Sequence, residues 1–169
     1  MTVGEAGLPP ALAEIAQRTD DGVFHANAWG ISWGCDVIGA LKTVAAENPR
    51  SRSRLCLHPS PDAEHQEMLI VMHRDAVEIP QRRTIGFDTK IAIEGAARLD
   101  YFNDEGNCVR SVPLNTGRSI YVHTCSDEFH ALSVETEWFV FLEVLAGPFN
   151  AATTEYAPWS QSGRGHRHA

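Results

Sequence analysis

The sequence predicts an all-β sandwich or barrel, on three observations. After residue 55, apolar and polar residues recur in short runs with the period of a strand rather than a helix. About eight such runs follow at regular intervals, with Gly, Pro, Asn or Asp between them, the spacing of a sandwich or barrel. The chain has 169 residues, 43% hydrophobic and 21% charged, enough for one packed core and small for two.

The first part of the chain reads differently. Pro9-Pro10 followed by residues 11–16 predicts a short helix with proline at its start. Asp20-Asp21-Gly22 is a turn, and Val23–Asn27 a short strand. Val37, Ile38, Leu41, Val44 and Ala45 recur at helical spacing, so a helix is expected over Asp36–Ala46. Asp36 is placed as its N-cap, and Asn48-Pro49 ends it. Arg50, Arg52 and Arg54 then lead into Leu55-Cys56-Leu57.

From there strands are expected over Glu67–His73, Ala76–Ile79, Thr89–Ile93, Ala97–Phe102, Cys108–Leu114, Ser119–Val122, His130–Val134 and Trp138–Val144. Arg74-Asp75, Glu94-Gly95, Asn103–Gly106 and Asn115–Gly117 supply the turns. Gly147-Pro148 is expected to end regular structure, and Ser160–Ala169, rich in Ser, Gly, Arg and His, to be disordered. The resulting division is 1–60 as a helical and extended segment packed on the barrel, 61–159 as the barrel, and 160–169 as a tail.

Formal net charge is −8, the wrong sign for a nucleic-acid backbone or an anionic membrane surface. No apolar run approaches the ~20 residues of a bilayer span. Met1–Leu8 carries Glu5 and no basic residue, which does not match a secretory leader, so a cytoplasmic protein is expected. Cys35, Cys56, Cys108 and Cys125 form no C-x-x-C pair and are expected as free thiols, mostly packed as small apolar groups.

Of the histidines, His65 and His73 read as surface or core residues. Tyr121 and His123 alternate on one strand and share a face, inward or outward. Glu128 precedes His130 by two positions and reads first as a turn residue, second as a group that orients the imidazole. His166 and His168 form a terminal H-x-H able to bind metal adventitiously. Trp29, Trp33, Trp138 and Trp159 read as packing.

An ordered set of segments resembles the cupin-fold metalloproteins of the WbuC type. It comprises Arg52–Pro59, Gln66–Ile70, Ile79-Pro80, Ile93-Glu94-Gly95, Tyr101–Gly106, His130-Ala131-Leu132, Glu143–Phe149 and Ala157-Pro158-Trp159, and covers roughly residues 36–159. The resemblance implies a single cupin (jelly-roll) barrel, with a small helical N-terminal extension and, as in many cupins, a homodimer. Its members hold a divalent metal through a P-H-x-H segment, a glutamate and a later histidine. Matched by position, these fall on Gln81, Arg83, Asp88 and His130. Arginine offers donors only, glutamine is a weak ligand and aspartate is one methylene shorter than glutamate, so no cofactor is expected in the barrel.

The expectation is therefore a metal-independent enzyme for a small polar or anionic molecule, doing isomerisation, cyclisation or elimination. His130 and Asp88 would carry the acid/base chemistry, with Gln81, Arg83, His58 and Tyr121 binding substrate. The first alternative is a rearranged iron, zinc, nickel or manganese site on His130, Asp88 and Gln81, serving an oxygenase or lyase. The second is a non-catalytic binding protein in which Arg83 and Asp88 pair with each other.

Overall fold

The computed structural model describes residues 7–125 and 127–161. A short helix, α1 (Pro10–Ala13), has proline at its first turn and ends earlier than expected, because Ala16 already enters a strand. That strand, β1 (Ala16–Asp20), forms an antiparallel pair with β2 (Val23–Ala26) around the Asp21-Gly22 turn. Helix α2 (Cys35–Glu47) follows and stops before Pro49, whose ring disfavours a helical residue ahead of it. Its N-cap is Gly34, with no side-chain capping bond, so Asp36 lies inside the first turn and is not the cap.

The strands then run β3 (Arg52–Cys56), β4 (His65–His73), β5 (Gln81–Arg83), β6 (Phe87–Glu94), β7 (Ala96–Phe102), β8 (Cys108–Asn115), β9 (Tyr121–Cys125), β10 (Phe129–Val134) and β11 (Trp138–Ala146). Beyond Gly147-Pro148, where regular structure was expected to end, come a single 3-10 turn, β12 (Thr154–Tyr156) and α3 (Pro158–Gln161). The disorder expected of the tail falls on residues 162–169, outside those described, apart from the last residues of α3.

The sheet orders are β1-β2-β3-β4-β11-β6-β9 and β12-β5-β10-β7-β8. Within them, β4 to β11 form the interleaved quartets 4-11-6-9 and 5-10-7-8, which is the connectivity of a jelly roll. The fold is thus a cupin-type β-barrel with a small helical and stranded N-terminal extension. That extension continues the larger sheet through β3, which pairs antiparallel with β4 and parallel with β2.

Two apolar layers hold it together. Outside the larger sheet, α2 buries Val37, Ala40, Leu41 and Ala45 against Leu55, Leu69, Val71 and Val140. Ser53 donates a 2.7 Å hydrogen bond to the Leu41 carbonyl across this contact. Inside the barrel, Met72, Leu99, Tyr101, Leu114, Leu132, Phe139 and Phe141 pack together, with the two phenylalanine rings 5.1 Å apart. The split follows the period-two rule: Leu69 and Val71 face the helix, while Met72 faces the interior.

Residues 76–79 look like a strand in sequence but form none. Val77 is 73% exposed, and the carboxylate of Glu78 accepts a 2.6 Å hydrogen bond from the Leu132 backbone N–H. That bond replaces a ladder partner, because β5 pairs with β10 at one position only, Gln81 opposite His130. Among the described cysteines, Cys35, Cys56 and Cys108 are free thiols; Cys56 is buried, but Cys35 and Cys108 are exposed rather than packed.

Candidate functional site

Strand β6 sets the chemistry of the barrel interior. Asp88, Lys90 and Ala92 share one strand face, and Ala92 belongs to the inner core, so the two charged residues point inward. Lys90 is 3% exposed. Its ammonium makes a very short contact with Asp88 Oδ2 and lies 3.0 Å from Glu143 Oε1 of β11, the residue directly across the ladder. Burial pushes the Lys90 pKa down, but the charges of Asp88, Glu143 and Glu78 outweigh it and raise the pKa overall. Burial likewise pushes Asp88 up, yet the charge of Lys90, with His130 beside it, holds it at about 2. Glu143 is raised, chiefly by burial, with the Asp88 charge adding to the effect and Lys90 opposing it.

His130 is 6% exposed and stands beside this cluster. Its Nδ1 lies 3.0 Å from the Glu128 carbonyl, an acceptor, which makes Nδ1 the protonated nitrogen of the neutral ring. Nε2 then faces Asp88 Oδ2 at 3.6 Å. The Tyr101 ring packs 5.9 Å from the imidazole, and its hydroxyl shares a 2.8 Å hydrogen bond with Thr124 of β9. Gln81, opposite His130 in the β5–β10 ladder, and Arg83, two residues on, share a strand face at this end of the barrel.

The structure thus brings Asp88, His130, Gln81 and Arg83 to one end of the barrel and separates the rest. Arg83 and Asp88 do not pair: Arg83 Nη2 donates to the Ala146 carbonyl at 3.0 Å, and Lys90 is the partner of Asp88. Arg83 Nε and Asp88 Oδ1 are buried without a hydrogen-bond partner among the described residues. Tyr121 does not line this site. It is 55% exposed and shares the outer face with His123, whose Nδ1 lies 3.0 Å from Thr89 Oγ1, while Val122 and Thr124 are the buried residues of β9. Nor does His58 join His130: it is held by the Glu67 backbone, next to His25 and Cys56 on the N-terminal extension.

Glu128 is exposed and paired with Arg110 at 2.7 Å, so it orients His130 through its carbonyl and not its carboxylate. Of the tryptophans expected in packing, Trp33, Trp138 and Trp159 pack as expected, but Trp29 is 79% exposed. His166 and His168 lie outside the described residues.

The residues do not fit a divalent ion on His130, Asp88 and Gln81. The one strong oxygen ligand, Asp88, is already engaged by an ammonium that would repel a second cation, and Arg83 has no lone pair to offer. Lys90, Glu143 and Glu78 were missed from sequence. The signal for Lys90 was present, because placing Asp88 inward places Lys90 inward by the same alternation.

Residues 35–114 match the model of a domain of unknown function, DUF6016, just under half of the chain. No curated protein matches in sequence. Among solved structures, the chain is similar to CapF in complex with the inhibitor 3-isopropenyl-tropolone, at a TM-score of 0.54 and 9% identity over 69% of this chain and 39% of that one. It is also similar to a protein with a double-stranded β-helix domain from Klebsiella pneumoniae subsp. pneumoniae (TM-score 0.49, 19% identity, 63% of this chain and 84% of that one). A third likeness is to oxalate decarboxylase from Bacillus subtilis (TM-score 0.45, 18% identity, 55% of this chain and 24% of that one). The chain thus spans well under half of the CapF and decarboxylase chains, and identities this low speak to the fold alone.

Proposed function

We propose that the protein is a cupin-fold enzyme acting on a small polar or anionic molecule by proton transfer, without a metal in the barrel. The observation that carries this reading is a buried donor and acceptor, Arg83 Nε and Asp88 Oδ1, without partners among the described residues, at the end of the barrel that also holds an imidazole fixed in one orientation. Buried polar atoms are costly unless paired, so a bound polar molecule gains most by satisfying them. Arg83 would hold an anionic group. The unprotonated Nε2 of His130 would take a proton from an adjacent carbon or hydroxyl and return it to a neighbouring atom, which is an isomerisation, or pass it to a leaving group, which is an elimination or cyclisation. Asp88, 3.6 Å away, would stabilise the imidazolium formed in between. The same reading includes kinship with the WbuC-type proteins, a degenerate metal motif at Gln81, Arg83, Asp88 and His130, and a cytoplasmic homodimer.

The test is a thermal-shift panel of small carboxylates, phosphates and sugar phosphates, with each stabilising compound then followed by NMR for conversion. At least one anion should raise Tm, and Arg83→Ala should abolish that shift. His130→Gln should keep the shift and slow conversion by about a hundredfold or more. Binding indifferent to Arg83→Ala, or turnover indifferent to His130→Gln, would sink the reading. Ligands that bind through Arg83 and are never converted would make the protein a binding module.

A further inference from the structure

A second cluster of chemically competent side chains lies outside the barrel site. His25 on β2 and Cys56 on β3 are direct partners in the parallel β2–β3 ladder, and His58 follows Cys56 by two residues. One ligand atom from each of the three lies within 4.8 Å of the others. The two imidazoles meet edge to face with their centroids 5.7 Å apart. Cys56 is 3% exposed and His58 is 6% exposed.

From these residues we propose that His25, Cys56 and His58 form a binding site for a borderline-soft transition metal of the zinc or copper class. The donor set is two imidazoles and a thiolate, which suits those ions and not magnesium or calcium, whose ligands are oxygens. His25 and Cys56 come from two strands locked in register by the sheet, and His58, two residues beyond β3, is tied to the Glu67 backbone, so the site is preformed. His58 Nδ1 is held by the backbone of Glu67, 3.0 Å from its carbonyl and 3.1 Å from its N–H, which orients the ring; with the imidazole proton on Nδ1, toward the carbonyl, Nε2 is the nitrogen that would coordinate. Val23 and Met68 pack with Cys56 and dry one side of the thiol. His58 also borders a cavity of about 330 Å³, lined in addition by Trp29, Leu57, Glu64, His65 and Glu67. Three protein ligands leave a fourth position for water or an exogenous ligand.

The electrostatics agree with a neutral nitrogen pair. Burial lowers the pKa of both histidines, and the charges of neighbouring His58 and Arg54 lower that of His25 further, so both rings present lone pairs at neutral pH. Burial raises the Cys56 thiol, while Arg54 pulls the other way; a bound cation would complete the deprotonation, with one proton released per metal taken up. Arg54 is exposed, so its repulsion of an incoming cation is screened.

The test is titration of the full-length protein, carrying His166→Ala and His168→Ala to silence the tail, with Co²⁺ followed by optical absorption, and then with Zn²⁺ in competition. The expected result is one equivalent of Co²⁺ with a thiolate-to-cobalt charge-transfer band in the near ultraviolet, displaced by Zn²⁺. Cys56→Ser should remove the band. His25→Gln, at a half-buried position where folding is not at stake, should weaken binding by more than about tenfold, since even outer partners of metal ligands are worth that much. His130→Gln and Asp88→Asn should leave the band unchanged, which separates this site from the barrel. Binding without a charge-transfer band, or binding that survives His25→Gln at full strength, overturns the proposal, as does no binding at all.

Discussion

Lys90→Met asks what the buried ammonium does. The substitution preserves most of the side-chain volume and removes the charge from a residue that is 3% exposed and held between Asp88 and Glu143. Two buried carboxylates then lose their common counter-charge, leaving His130 at 3.6 Å from Asp88 and Arg52 near Glu143, with Glu78 adding a further negative charge. Breaking a buried ion pair from one side costs about 3–5 kcal/mol. For a chain of this size that corresponds to a Tm lower by about 6–20 °C. The pH dependence supplies the sharper check. In the parent, Asp88 sits at about 2 and does not titrate near neutrality. Without Lys90, both carboxyls rise above their unfolded values. A raised pKa contributes stability that is present below the unfolded value and lost as pH rises through the folded one. The variant should therefore recover stability as pH falls from 7 to 5, by up to about 1.4 kcal/mol per pH unit for each carboxyl that binds a proton on folding. Urea unfolding of parent and variant at both pH values measures this. A deficit under about 1 kcal/mol at pH 7, or one that does not shrink at pH 5, would refute the reasoning. Adding Asp88→Asn and Glu143→Gln to Lys90→Met should restore most of the loss, because a neutral cluster carries no uncompensated charge.

Two further outcomes follow from other parts of the barrel. Gly95→Ala should cost about 2–4 kcal/mol in urea unfolding, because φ is +77° and the new Cβ would stand 2.1 Å from the Trp138 carbonyl; a change within 0.5 kcal/mol would contradict the turn geometry. Asp100 accepts hydrogen bonds from Arg98 at 2.7 and 3.1 Å, from Ser111 at 2.5 Å and from Ser133 at 3.1 Å; although burial pushes its pKa up, these bonds hold it below the ordinary value. A depressed pKa gives stability that is present above the unfolded value and lost as pH falls. Asp100→Asn should thus be destabilised most at pH 7, with the gap to the parent closing below about pH 4; a gap independent of pH would rule this out.

The barrel was legible where burial shows in the residue alphabet. Glu67–His73, Ala97–Phe102 and Trp138–Val144 each carry enough apolar positions to reveal a strand, and each is one. Strand β5 was not legible, because Gln81, Arg82 and Arg83 are all polar. Arg82 faces outward, over the Phe129 ring and against Glu155 at 2.9 Å, while the other two turn toward the site. The apolar residues just before it mimicked a strand, and their role is instead to carry Glu78 to the open edge of β10. Asp88 and His130 were legible as candidates by resemblance, but the partner of Asp88 was not. A lone lysine reads as a solvated charge until the face it shares with Asp88 and Ala92 is considered. The pairing of His25 with Cys56 depends on a parallel register between two strands separated by a helix, and no local pattern encodes that.

The lysine inside the barrel has a consequence for how the fold relates to its surroundings. An ion taken up from solution fills its seat in proportion to its free concentration, and a tighter-binding competitor can displace it. An ammonium carried on β6 has no dissociation equilibrium. The countercharge for Asp88 and Glu143 is put in place when the chain is synthesised, cannot be stripped by a chelator, and cannot be exchanged for the wrong element. The barrel's internal charge balance is thereby independent of metal supply.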